Sequence, residues 1–239
     1  MRKIYVFILL ALFFSFDAYA NEAIKLLEEN IEARGGLDKL NSIKVLECLV
    51  ITNSQQMPVP DTSRNLYAGE KYRITSLGTN SIVFDNGKDG YFLSAMFGAD
   101  TLTKMNSSQR ATLKDQFKQI KGFLLGFIYN TFLKKNEFKI EYLGKESIGK
   151  AKVKKIKISS ALSSVETNIY IGNIDKLTKK IEILAPNNQM EFIFSAYQEI
   201  DGILFPRNII MKNSQMELHQ VIENLRINHN VADSVFEEF

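Results

Sequence analysis

The sequence predicts a mainly β fold of the α+β class: a curled antiparallel sheet of about eleven strands, forming an incomplete, half-open barrel with helices covering its concave face. Three observations carry that expectation. Short segments with apolar residues at every second position recur along the chain, and period-two alternation marks a sheet with one apolar face. The separators between them are turn chemistry, such as Gly149-Lys150, Asp201-Gly202 and Asn213-Ser214, so successive strands lie side by side as a meander. Only two stretches have helical spacing, and one of them, Gly122 to Leu133, is apolar nearly all round, so both of its sides must be covered. A closed barrel of this size has little room for such a segment, whereas a half-barrel needs a plug.

The N-terminus comes first. Arg2-Lys3 is basic, Ile4 to Phe16 is an almost unbroken apolar run, and Ala18-Tyr19-Ala20 is a small-x-small site, which together predict a secretory signal peptide over residues 1–20, cleaved after Ala20. At about 1.5 Å per residue the apolar run reaches only roughly 20 Å, short of the ~30 Å hydrocarbon core of a bilayer. Asn21, and not a cysteine, directly follows the cleavage site, so there is no signal for lipid attachment there. Residues 21–239 are then expected to form a single domain, long enough to bury a sizeable core without cross-links. The formal charge of +3 becomes +2 once Arg2, Lys3 and Asp17 leave, which argues against nucleic acid and against strong electrostatic attraction to anionic membranes.

Glu22 to Arg34 has Ile24, Leu27 and Ile31 at helical spacing, and Gly35-Gly36 supplies a stop. Ile43 to Asn53 is apolar on both faces and predicts a central strand. It contains Cys48, the single cysteine, which is expected to be a buried small hydrophobe and not a reactive thiol. Gln55 to Asp61 holds Pro58 and Pro60 and predicts a loop. Strands follow at Lys71 to Ser76, Asn80 to Asp85 and Gly90 to Ser94. The Asp85-Asn-Gly-Lys-Asp-Gly90 connection starts like a calcium loop, but its twelfth position is Met96 where a bidentate glutamate is needed, so a hairpin turn is expected.

The second helical pattern runs from Asn106 to Lys135, with Phe117, Ile120, Leu124, Phe127 and Thr131 on one face. Alternation then resumes at Phe138, Ile140 and Tyr142, and continues through Ile169 and Ile171, Ile181 and Ile183, Met190, Phe192 and Phe194, to Val221, Leu225 and Ile227. His219 and His229 are the only histidines, ten residues apart and without a cysteine or carboxylate constellation at ligand spacing, so no metal site is expected. No nucleophile elbow, P-loop or dinucleotide fingerprint occurs, and neither catalysis nor a cofactor is expected. The residues leave open a carrier of an apolar ligand, an envelope sensor or scaffold that binds a protein partner, and a hydrolase with no recognisable motif; two histidines make the last hard to build.

Several segments together resemble a known family. Gly35-Gly-Leu-Asp-Lys-Leu-Asn-Ser-Ile43, Lys71-Tyr-Arg-Ile74, Val83-Phe-Asp-Asn-Gly87 before Tyr91, Ala196-Tyr-Gln-Glu-Ile-Asp-Gly-Ile-Leu-Phe-Pro206 and Ile227-Asn-His-Asn230 to Phe236 are similar, in order and spacing, to the periplasmic outer-membrane lipoprotein-sorting proteins of the LolA/LolB-like superfamily. The resemblance implies a half-barrel under a helical lid, an apolar cavity for the acyl chains of a lipoprotein or another lipid, and donor and acceptor proteins at the inner and outer membranes. On it, the cavity and lid residues are Leu46, Val50, Ile74, Phe84, Phe92, Phe123, Leu124, Phe127, Ile128, Phe192 and Phe194. The family's lid-holding arginine falls on Arg73 by strand order, with Arg64 in the same region. Carriers of this family are often tryptophan-rich in the cavity, and this chain has no tryptophan, with phenylalanine in its place.

Overall fold

The computed structural model describes residues 22–56, 58–94, 99–114, 137–160, 163–186 and 188–237. The expected signal peptide and the lid residues Phe123, Leu124, Phe127 and Ile128 lie outside the described residues. Helix α1 spans 22–33 and α2 Leu37–Ser42. Strands β1 (Val45–Ser54), β2 (Asp61–Ala68), β3 (Lys71–Ser76), β4 (Ile82–Asp85), β5 (Gly90–Ser94) and β6 (Ala99–Lys104) follow, and then helix α3 at 107–114. The second half is all strand: β7 (Lys139–Ile148), β8 (Ala151–Ser160), β9 (Ser163–Gly172), β10 (Thr178–Ala185), β11 (Asn188–Ile200), β12 (Ile203–Lys212) and β13 (Glu217–Ile227), closed by a 3-10 turn at Asp233–Phe236.

Among the described residues thirteen strands form one antiparallel sheet, against the eleven or so expected. The alternating segments named above include no residue of β2, β6, β8 or β12; in β2 and β6 polar stretches, Asp-Thr-Ser-Arg-Asn in β2 and Thr101 and Thr103 in β6, interrupt the alternation. The order runs from β6 back to β1, then β13 down to β7. Each half is therefore a meander, and the β1–β13 pairing joins the two. Among the described residues β6 and β7 are the edges of this curled, unclosed sheet, and residues 105–138 lie between them in the chain.

Registers define the two faces, because successive side chains point to opposite sides of a strand. One inner-face row runs Cys48, Asn65, Ile74, Val83, Phe92, and the next Leu46, Tyr67, Tyr72, Asp85, Gly90. Across the second half the same face carries Tyr142, Ile156, Ile169, Ile181, Phe192, Met211 and Leu218. Helix α1 covers part of this face. Its buried side is Ala23, Leu26, Leu27 and Ile31, all in one cluster with Leu46, Cys48, Ile169, Ile181 and Phe192. Leu26, Leu27 and Ile31 each contribute roughly 1.5–3 kcal/mol by leaving water.

Polar groups fix where α1 sits. Asn30, on the buried side, donates from Nδ2 to the Lys176 carbonyl at 2.6 Å, and the buried Arg34 donates from Nε to the Leu204 carbonyl at 3.1 Å. Gly35 (φ 118°) then runs so close to the β11–β12 turn that a Cβ would collide with the Gly202 carbonyl oxygen. Gly35-Gly36 and Asp201-Gly202, far apart in sequence, are thus two sides of one contact.

Candidate ligand-binding site

On the inner face the apolar residues fall into two classes. Leu46, Val50, Phe192 and Phe194 are buried in the main core. Ile74, Val83 and Phe92 on β3–β5, and Ile183, Met190 and Met211 on β10–β12, are only half-buried. Apolar side chains that partly face out of a curled sheet are where an apolar ligand gains contact without unpacking the core.

Phe84 does not join them. It pairs with Arg73 and Tyr91 on the outer face, where it is buried, stacks on Tyr91 at 5.1 Å between centroids, and lies 5.4 Å below the Arg73 guanidinium. The chain after β13 returns over this outer face. Asn228 Oδ1 accepts from the Lys44 amide at 2.8 Å, Lys71 meets Asp233 at 2.7 Å, Arg73 Nη1 donates to the Val235 carbonyl at 3.0 Å, and Phe236 is buried. Arg73, expected to hold a lid, therefore bonds the C-terminal segment on the side away from Ile74 and Phe92.

The residue that anchors a helix to the inner face is Asp85, which the sequence reading placed in a hairpin turn. The hairpin forms, with Asp85 opposite Gly90, and the Gly87 amide donates to Asp85 Oδ1 at 2.7 Å. The Asp85 carboxylate is fully buried and receives Arg110 of α3 in a fork, Nε to Oδ2 at 2.5 Å and Nη2 to Oδ1 at 2.9 Å. Arg110 Nη2 also donates to the Gly87 carbonyl at 2.8 Å, and Lys114, one turn on, is 3.9 Å from Asp85. α3 starts the connection between the two sheet edges, so this ion pair fixes where that connection leaves the sheet. A local signal marks its start: Asn106 and Gln109 cap each other's backbone amides at 2.9 and 3.0 Å, a reciprocal box readable as Asn-x-x-Gln.

Cys48 is buried, and burial pushes its thiol up to about 12, so it is an inert packing group at neutral pH. Among the described residues no group of three or more His, Cys, Asp or Glu is placed to hold a metal ion. No described helix is long and apolar enough to cross a membrane.

No protein-family model matches the chain, and no curated protein matches it in sequence. Solved structures do match in fold. A LolA superfamily protein from Nitrosomonas europaea is 13% identical, with 90% of this chain and 97% of that one covered at a TM-score of 0.53. A DUF1329 family protein from Desulfovibrio piger is 11% identical, with 91% and 97% covered at 0.56. A domain described as an outer membrane lipoprotein-sorting protein, from Vibrio parahaemolyticus, is 9% identical, with 91% and 97% covered at 0.54. The chain has the LolA/LolB-like fold.

Proposed function

We propose that the protein is a non-catalytic periplasmic carrier that holds the acyl chains of a lipoprotein, or another lipid, against the inner face of its half-barrel. The observation that carries this reading is the set of half-buried apolar side chains on that face, Ile74, Val83 and Phe92 on β3–β5 and Ile183, Met190 and Met211 on β10–β12, of which Val83, Ile183, Met190 and Met211 pack against the buried core. The fold supports it. So does the sequence of the edge-to-edge connection, whose Gly122 to Leu133 stretch is too apolar to be left in water. The signal-peptide pattern supports export, and a carrier between membranes requires a donor and an acceptor protein, one at each. Leu46, Val50, Phe192 and Phe194 then shape the floor from beneath, while Ile74 and Phe92 touch cargo.

The test is mass spectrometry of organic extracts from exported protein purified without detergent, with displacement of a fluorescent fatty acid on the same preparation. Copurifying acylated lipid and saturable probe binding are expected. Lipid-free protein that also fails to bind the probe overturns the proposal.

A further inference from the structure

The outer face carries a second site, which cargo held on the inner face does not use. Between the pairs Glu47–Arg226 and Leu49–Glu223, β13 contains one residue more than β1, a bulge at which Asn224 takes φ 49°. The bulge opens a cleft of about 460 Å³, within the usual range for small-molecule sites, lined by Glu47, Leu49, Arg64, Asn224, Leu225 and Arg226. At its base lies Glu47, whose side chain is 6% exposed. Arg64 directs Nε and Nη2 to one of its oxygens, both at 2.5 Å, and the other takes Arg226 Nη2 at 2.6 Å and His229 Nε2 at 2.7 Å.

The two guanidiniums are not used up by this. A guanidinium has five N–H donors. Arg64 Nη1 and Arg226 Nε and Nη1 have no partner among the described residues, and the two side chains are 56% and 59% exposed. Two arginines share one carboxylate, which leaves an excess of positive charge, and Arg73 stands on the same face. The planar slot between the arginines is filled by Glu47 itself. What fits the remaining donors is an anion whose oxygens diverge, so that it meets both forks from the open side, as a tetrahedral phosphate does and a second planar carboxylate does not.

We infer that the cleft at the β13 bulge binds a phosphate ester through Arg64 and Arg226, with Glu47 holding the two guanidiniums apart and oriented. The phosphate is carried either by a soluble molecule or by a lipid headgroup.

The mature protein is titrated with inorganic phosphate and with glycerol phosphate, followed by NMR, and sedimented with phosphatidylglycerol vesicles and with pure phosphatidylcholine vesicles. Saturable binding of the soluble phosphates alone assigns a soluble ligand. Added binding to the phosphatidylglycerol vesicles, and not to phosphatidylcholine, assigns a headgroup. Arg226→Gln is expected to weaken phosphate binding by roughly ten-fold or more, the loss of one charged hydrogen-bond donor set. Lys139→Gln, which removes a charge from an exposed pair with Glu141 on β7 at the edge of the sheet, is expected to leave it unchanged. Glu47→Gln frees donors and is expected to tighten phosphate binding several-fold, whereas a cluster that only stabilises the fold gains nothing. If Glu47→Gln does not fold, the Arg226→Gln and Lys139→Gln pair decides alone. Absence of binding in every arm, or equal weakening by Arg226→Gln and Lys139→Gln, overturns the inference.

Discussion

The inner and outer faces of β1–β5 use the same residue types to opposite ends. Phe84 and Phe92 sit on adjacent strands, yet Phe84 is sealed on the outer face with Phe236 and Leu66 also buried, while Phe92 is half-buried on the inner face. Asp85 and Glu47 are both buried carboxylates held by arginine. The Asp85 partner Arg110 is three-quarters buried and lies in helix α3; the two arginines on Glu47 are more than half exposed and keep unspent donors. On β3–β5 the outer-face Phe84 is closed off, while Ile74, Val83 and Phe92 on the inner face are half-buried.

The largest effects come from the phenylalanine pair. Phe84→Ala is expected to cost ~3–5 kcal/mol in urea unfolding, as core aromatics do, without altering fatty-acid probe affinity in the protein that remains folded. Phe92→Ala is expected to cost about 1 kcal/mol and to weaken the probe instead. Equal stability losses with unchanged probe binding would abolish the distinction between the faces.

Next is the charge contrast. Arg110→Ala leaves Asp85 buried with only the distant Lys114, and is expected to lose about 3 kcal/mol or more. Arg64→Ala leaves Glu47 with Arg226 and His229, and its own exposure screens the pair, so about 1 kcal/mol is expected. Chemical denaturation of both variants measures the difference.

Acid probes the outer cluster. Burial raises the proton affinity of Glu47, but the hydrogen bonds and charges of Arg64 and Arg226 outweigh it and hold the carboxyl below its ordinary value of 4.5. A carboxyl lowered by folding stabilises the fold at pH above its unfolded value, and that contribution is lost as pH falls through the folded one. Melting temperatures taken from pH 7 to pH 3 should therefore fall below about 4.5, and less steeply in Glu47→Gln, if the folded variant is otherwise intact. The smallest effect is at the rim: Lys71→Ala removes an exposed pair with Asp233 and should change stability by less than about 1 kcal/mol in the same melts.

The sequence by itself determined the mainly β class, most strands and their turns, because side-chain alternation and turn chemistry are local properties of the backbone. It also determined the Pro58–Pro60 loop, the α1 helix with its glycine stop, and the burial of Cys48. Alternation does not say which face is inner when both are apolar, as in Ile82-Val-Phe84, and that is why Phe84 reads like Phe92. Only the tertiary structure decided it, by returning residues 228–237 across the outer face. The charged partners were equally invisible in the sequence. Asp85 finds Arg110 across 25 residues and Glu47 finds Arg226 across 179, and such pairings are set by strand order and register, not by spacing along the chain.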